Sequence, residues 1–524
     1  MSVAESSEPP VLTHDDVISP TSHPVYARRW WMLLVLCLSV LLVTIDNTIV
    51  NVALPTLSRE LGATTSNLQW IVDAYTLVFA GLLLVAGHLG DRFGRRRTLQ
   101  VGLLFFGLAS LGAAAAGTTN ELIAGRAAMG VAAALVFPAT LGLLSNIFTD
   151  ARERATAIGI WSGISGLAVA LGPVSGGLLL EHFSWNSVFL VNVPLVVIAL
   201  AAGWRLLPDS RDNSPGRFDV GGAVGSIAGI GVLVWTVIEA PNHGWTSAPT
   251  IGGLIAAALL LVAFAAWESR RQDPLLDVRL FTNGRFSAAS FAITAAFFSL
   301  FGFIFLITQY LQLVRGYSTL GAGLATLPFA IVTGVLSPVA IVLMKRIGTT
   351  RVVALGLALM SSGFVLASGS AVDSAYWGRV VGSMVLMAAG LALTAGPATD
   401  AVMGALPREK AGAGSAVNDT TREVGGTLGV AVVGSVMSSM YGSRLVDSLS
   451  ALGLPAGAVD SAKESVAAGL GVVGQLPGTA QAAAGQAVRE AFMDGLQAGS
   501  LIAAATTGVA AVLVLIFLPA RHRD

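Results

Sequence analysis

Trp31-Met-Leu-Leu-Val-Leu-Cys37-Leu-Ser-Val-Leu-Leu-Val-Thr-Ile45-Asp46-Asn47-Thr48-Ile49-Val50-Asn51-Val52-Ala53-Leu54-Pro55 is 25 residues long and holds one formally charged side chain, Asp46. About 20 apolar residues suffice to carry an α-helix across the hydrocarbon core of a bilayer. The stretch therefore predicts a membrane-spanning helix with an acid inside it. Working outward, similar runs recur at about 68–90, 98–117, 121–146, 155–180, 187–206, 219–238 and 250–267. Six more follow at about 287–312, 321–344, 351–369, 377–404, 412–440 and 494–518. The expected fold is an all-α membrane protein with about 14 transmembrane helices.

Composition agrees. The 524-residue chain is 54% hydrophobic and 11% charged, whereas a soluble domain carries about 25% charged residues. Its formal net charge is zero, which argues against a nucleic-acid partner. Cys37 is the only cysteine, so an internal disulfide is excluded. Residues 1–30 contain four prolines and few apolar residues, and read as a disordered N-terminus rather than a cleavable signal.

Basic residues orient the spans. With the N-terminus inside, 22 of the 30 Lys and Arg fall in cytoplasmic segments and six in external ones; Arg126 and Arg422 lie within spans. Both termini are therefore expected in the cytoplasm. The one long external segment, 441–493, is Ala- and Gly-rich with helical spacing of its apolar residues, and reads as a partly helical surface hairpin. The tail 519–524 returns to the cytoplasm.

Between the second and third runs stands Gly87-His-Leu-Gly-Asp91-Arg92-Phe-Gly94-Arg95-Arg96-Arg97. An ordinary cytoplasmic loop predicts basic residues, but neither the spaced glycines nor the Asp-Arg pair. The pattern resembles the signature loop of the major facilitator superfamily. Ile45 to Pro55 is similar to the first-helix motif of its fourteen-helix drug:proton antiporters. Arg126-Ala-Ala-Met129-Gly130 is similar to the family's Arg-x-x-Gln-Gly, with Met129 replacing the glutamine that could hydrogen-bond near the arginine. Gly159, Ala168, Gly172-Pro173-Val-Ser-Gly176-Gly177 resembles the antiporter motif, with Ala168 at a usual glycine. Phe189-Leu-Val-Asn192-Val-Pro194 and Gly425-Gly426-Thr-Leu-Gly429-Val-Ala431 also look like this branch.

The resemblance implies a six-helix bundle over 31–206, a linker with two extra spans over 207–286, and a second bundle over 287–518. It also implies that the bundles rock around a midplane cavity. The conformational motif would be Gly87, Asp91, Arg92, Gly94, Arg95 and Arg96. The gate motif would be Gly172, Pro173, Gly176 and Gly177, where Gly-Pro kinks the helix and the paired glycines let a neighbour close in.

Ionisable side chains at bilayer depth are costly and mark function. Asp46, Asp73 and Arg126 fall in the same outer half of the membrane; Asp419 and Glu423 share a face of the thirteenth span beside Arg422. These are the candidate proton-coupling and substrate-binding residues, with Asp46 foremost. A fixed Asp46–Arg126 pair, a solvated Asp73, and ion pairs of Arg422 with Asp419, Glu423 or Asp400 are the structural alternatives. Trp70, Tyr75, Phe137, Trp161, Gln309 and Asn418 are candidates to line a cavity for a flat lipophilic cation.

The expected activity is proton-coupled export of small lipophilic, cationic drugs or metabolites across the cytoplasmic membrane, by a monomer embedded in lipid. A proton symporter importing a metabolite and a non-transporting membrane sensor are the alternatives. No nucleotide-binding Gly-x-x-x-x-Gly-Lys loop and no His/Cys metal spacing is present, so neither an enzyme, a cofactor nor a metal is expected.

Overall fold

In the computed structural model of the chain, residues 27–208, 219–271, 274–405 and 411–518 are described. The expected disorder of 1–26, the tail 519–524 and the linker stretch 209–218 lie outside them. The described residues are helical, with no strand among them.

The first four long helices alternate in direction. Helix α1 (Arg29–Glu60) leads through a short turn into α2 (Thr65–Phe93), which Thr64 starts with a capping box closed by Asn67. Gly94, at φ 103°, turns the chain directly into α3 (Arg95–Ala114). This backbone angle favours glycine. Helix α4 (Thr119–Ile147) begins at Thr118, whose hydroxyl accepts from the Glu121 amide, and α5 (Ala151–His182) begins at Asp150 in the same manner. The next rod, α6, runs over Ser187–Leu206 with a break at Val191.

Helices α7 (Val220–His243) and α8 (Ala248–Glu268) form a hairpin, and a 3-10 turn, Val278–Thr282, leads on to α9 (Gly284–Val314), whose last turn is a π-helix. Helices α10 (Thr319–Ile347) and α11 (Thr349–Ser368) meet at Gly348, at φ 88°. This junction repeats the α2–Gly94–α3 corner, basic residues included: Lys345, Arg346 and Arg351 flank it. Internal repetition of this kind is common among transporters. The chain continues through α12 (Tyr376–Gly404) and α13 (Ala411–Ala451), the short α14 (Ala456–Lys463) and α15 (Val466–Gly474), and α16 (Gly478–Phe517).

Twelve of the helical segments are long and apolar enough to cross a membrane. The outer surface is apolar as well: only 6% of the apolar window of α10 and 11% of that of α8 is buried within the protein. Such faces are stable only against hydrocarbon. Helices α1–α6 pack among themselves, as do α9–α13 and α16, while α7 and α8 pack on each other with α7 also against α2 and α13.

Two elements outrun the spans read from hydropathy. α13 continues eleven residues past 440, and α16 begins at Gly478 rather than 494. Arg444, on the α13 extension, pairs at 3.3 Å with Asp494, which directly follows the α16 extension, and both side chains are exposed. The turns Ala456–Lys463 and Val466–Gly474 cap that end of the molecule, called the hairpin end below. Gly94 and Gly348 lie at the opposite, loop end.

Candidate functional site

The helix crossing of α1, α2, α4 and α6 buries a charged pair completely. Arg126 Nη1 reaches Asp46 Oδ2 at 2.5 Å, both side chains having no exposure. Asp46 Oδ1 accepts from Asn192 Nδ2 at 2.8 Å, and the same amide nitrogen lies 3.0 Å from Ser110 Oγ. Arg126 also donates from Nε to the Ile71 carbonyl at 3.0 Å, and its guanidinium stands 4.3 Å over the Tyr75 ring. The Tyr75 hydroxyl donates to the Val43 carbonyl at 3.2 Å. Both carboxylate oxygens of Asp46 are thus occupied by donors from two other helices. Arg126 Nη2 has no partner among the described residues, and Met129, standing where the family's motif has glutamine, is fully buried and apolar. Removing one member of a buried pair leaves an uncompensated charge costing about 3–5 kcal/mol.

Asp73 has a different environment. It is fully buried, so solvation at the interface is ruled out for this residue, and neither Oδ1 nor Oδ2 has a hydrogen-bond partner among the described residues. Its position on α2 lies between two residues that bond to α13. Gln69 Nε2 donates to the Val430 and Ala431 carbonyls at 3.1 and 2.9 Å, and Thr427 Oγ1 donates to Thr76 Oγ1 at 2.9 Å. Residues spaced i, i+4 and i+7 share a helix face. Asp73 therefore stands on the face of α2 turned to the second group of helices.

One turn below Thr427 on α13 is Glu423, whose Oε2 is buried without a partner. Thr427 Oγ1 is also 3.0 Å from the Glu423 carbonyl. Asp419 accepts from Asn418 Nδ2 at 3.2 Å, Asn418 Oδ1 accepts from Thr399 at 2.9 Å, and Arg422 Nη2 donates to the same Thr399 hydroxyl at 3.0 Å. The Arg422 guanidinium lies 5.3 Å from the Phe297 ring centre. Among the described residues no ion pair joins Arg422 to Asp419, Glu423 or Asp400, so the expected neutralising pair on this face is not formed.

Three of the expected cavity aromatics or amides come together, with Phe79 added. Tyr75, Phe79, Phe137 and Trp161 follow one another at centroid spacings of 6.0, 5.8 and 5.2 Å, and Trp161 Nε1 donates to Thr140 Oγ1 at 3.2 Å. Trp70 instead packs with Leu77 and Val234 toward α7, and Gln309 turns its amide onto the Phe305 carbonyl of its own helix.

The glycines of α5 divide between two neighbours. A Cβ on Gly172 would meet Thr48 and the Ile49 amide, and one on Gly176 would lie 2.8 Å from Ile49 Cγ1. Both therefore seat α1, within the first group. Gly177 is the residue that touches the second group: a Cβ there would lie 2.6 Å from the Thr319 carbonyl oxygen and 2.7 Å from Leu320 Cα. Across the crossing, Gly323 of α10 packs as closely on the Pro173 carbonyl, and the Thr319 hydroxyl donates to the Gly177 carbonyl at 3.2 Å. Gly323 and Asn192 are site residues that the sequence reading did not assign. An amide within the apolar run 187–206 and the Gly321-Ala-Gly323 spacing were their signals.

At the loop end, Arg95 Nη1 donates to the Gly142 carbonyl at 3.2 Å, and Arg96 Nη2 to the Trp204 carbonyl at 2.5 Å, tying the α2–α3 corner to α4 and α6. A Cβ on Gly142 would strike Arg95 Cδ at 2.8 Å. Arg92 lies 5.6 Å from the Phe93 ring centre, and Gly87 has ordinary clearance from Pro138. The side chain of Asp91 lies outside the described ones.

These features define an all-helical membrane protein with charged side chains buried between its helices. Residues 36–430 match the family model described as Major Facilitator Superfamily, and the chain belongs to that family. Among curated relatives, it is 36% identical over 503 residues to the multidrug efflux pump LfrA of Mycolicibacterium smegmatis, covering 95% of this chain and 97% of that one. It is 35% identical over 513 residues to the tetracenomycin C resistance and export protein of Streptomyces glaucescens, covering 96% and 95%. The methyl viologen resistance protein SmvA of Salmonella typhimurium matches at 34%, covering 89% and 93%. Among solved structures, a bacterial homologue of the lysosomal transporter Spinster has a TM-score of 0.64 at 17% identity, covering 94% of this chain and 98% of that one. The xylose transporter XylE of E. coli has 0.59 at 14%, covering 94% and 98%.

Proposed function

We propose that the protein exports small lipophilic cations across the cytoplasmic membrane in exchange for protons, by alternating access. The observation that carries the reading is Asp73: a fully buried carboxyl, with neither oxygen bonded, on the α2 face turned to α13. A carboxylate cannot stay charged in such a place without compensation, so its charge is matched either by a proton or by a cation. Antiport needs a site where those two are mutually exclusive. Glu423, with its own unbonded oxygen one turn from Thr427 on α13, is the partner site. Asp46 becomes the fixed anchor of Arg126, because donors already fill both its oxygens. The aromatic row from Tyr75 to Trp161 offers π faces to a flat cation. The relatives' names, covering multidrug efflux, tetracenomycin C export and methyl viologen resistance, support export over the symport and sensor readings.

In this reading α2 and α5, of 29 and 32 residues, also cross the membrane, which makes fourteen spans with α7 and α8 as the pair added between two six-helix bundles. Every hydrogen bond between the two bundles among the described residues lies in the hairpin half. They run from Ser58–Ser465 and Thr65–Glu464 through Gln312–Val52 and Thr319–Gly177 to Thr76–Thr427. With that half external and the termini cytoplasmic, as the basic residues indicate, the molecule is closed outward. Everted vesicles with an imposed pH gradient and a panel of cationic dyes test the function. Dye uptake driven by an acid interior, and abolished in Asp73→Asn with normal amounts of folded protein, is expected. Uptake of equal rate and equal proton dependence in Asp73→Asn would overturn the assignment of Asp73.

A further inference from the structure

A second polar site lies outside the helix interface. At the loop end, Arg96, Arg97, Gln100 and Trp204 line a cavity of about 300 Å³ between the start of α3 and the end of α6. We propose that it binds the phosphate headgroup of an anionic phospholipid from the adjacent leaflet.

The donors converge as an anion requires. Arg96 is fixed on the Trp204 carbonyl through Nη2, which holds its planar fork in place as one wall; guanidinium suits phosphate because several N–H groups donate from one rigid plane. Arg97 stands exposed at the mouth. Gln100, one turn further along α3, lines the same cavity and adds a neutral polar side chain to its wall. The cavity sits at the first turn of α3, where Gly94 offers no side-chain cap and the helix dipole favours negative charge.

The surroundings select a lipid. From the cavity, Val101, Leu104 and Leu108 on α3, and Val197 and Ile198 on α6, continue along the outer surface, each more than half exposed. A charged cradle at the end of an apolar track matches a headgroup with its acyl chains. Trp204, 72% exposed at the rim, is the residue type enriched at the level of headgroups. Two arginines would repel a cationic transport substrate, so this is not an entrance for drug.

The test uses the full-length protein in detergent, titrated with dioleoyl-phosphatidylglycerol, with dioleoyl-phosphatidylcholine, or with inorganic phosphate, and followed by thermal unfolding and by native mass spectrometry of bound lipid. Phosphatidylglycerol is expected to raise Tm and to remain bound, while phosphatidylcholine does neither. Arg97→Gln is expected to weaken apparent binding about fivefold, the worth of one basic residue near an anionic surface. Gln100→Leu, which removes the polar amide from the cavity wall and keeps the bulk, is a second reading of the same site. Equal binding of both lipids, or unchanged affinity in both variants, would overturn the proposal. Saturation by inorganic phosphate at the same site, with no gain from the acyl chains, would replace the lipid with a free anion and also overturn it.

Discussion

Gly177→Ala adds one methyl group at the crossing of α5 and α10. The new Cβ would sit 2.6 Å from the Thr319 carbonyl oxygen and 2.7 Å from Leu320 Cα. These are backbone atoms, so no side chain can swing aside; the helices must part by about 1 Å to restore ordinary contact, and overpacking of this kind costs about 1–3 kcal/mol. The cost falls only on the conformer in which this crossing is closed. In the opposite conformer the helices have separated, so the whole penalty enters the equilibrium between the two states as a shift of about 5- to 150-fold. Gly163→Ala, on the same helix with nothing within 4 Å of its new Cβ, is the control. Spin labels on cysteines replacing Glu60 and Gly457 report the distance across the hairpin end by pulsed electron resonance; native Cys37 is buried. Gly177→Ala is expected to populate longer distances than the parent, and Gly163→Ala to match the parent. A parent-like distance distribution in a folded Gly177→Ala protein would show that this crossing does not discriminate between the states.

Asp46→Asn is expected to act on stability, lowering the unfolding temperature and the folded yield, because Arg126 is left buried without its counter-charge; size-exclusion profiles and thermal unfolding beside Asp73→Asn separate the two roles, and equal stability of both variants would count against the anchor. Glu423→Gln is expected to keep the fold and to reduce proton release on dye addition, measured with a pH indicator in weakly buffered proteoliposomes; undiminished release removes Glu423 from the coupling. Asp91→Asn is expected to slow efflux more than it lowers folded protein, and proportionate losses would make the corner purely structural. Cysteines replacing Gly457 and Arg152 are expected to react with an impermeant maleimide from opposite faces of intact cells and everted vesicles, and labelling from one face alone refutes the topology.

The spans were legible because lipid solvation leaves a coarse mark: a run of apolar residues needs no partner to be recognised. Their ends were less so. The extension of α13 carries Arg444 and that of α16 carries Arg489 and Glu490, so the apolar run stopped although the helix did not. Within the site, sequence depth brought Asp46 and Arg126 to the same level, and the structure joins them. The partner that turns this pair into an anchor, Asn192, comes from a helix 146 positions away, and nothing local announces that contact. The glycines of α5 make the same point. Gly172 and Gly176 share a face and seat α1, while Gly177, one residue on, faces α10. Motif spacing tells which residues are small, but the choice of neighbour is made by packing.

Helix α13 is a single rod of 41 residues, about 60 Å long at 1.5 Å per residue, roughly twice the thickness of the hydrocarbon it enters. Its loop-end half carries Glu423 and Thr427, and its far end runs past the spans to Arg444 with Tyr441, Leu445 and Leu449 buried against its neighbours. A rigid mast of that length works as a lever: a tilt of about 10° at its base sweeps the tip through about 10 Å. Rearrangements too small to resolve beside the carboxylates are thereby enlarged into displacements at the hairpin end, where a reporter or a binding protein fixed to the tip would feel each turnover.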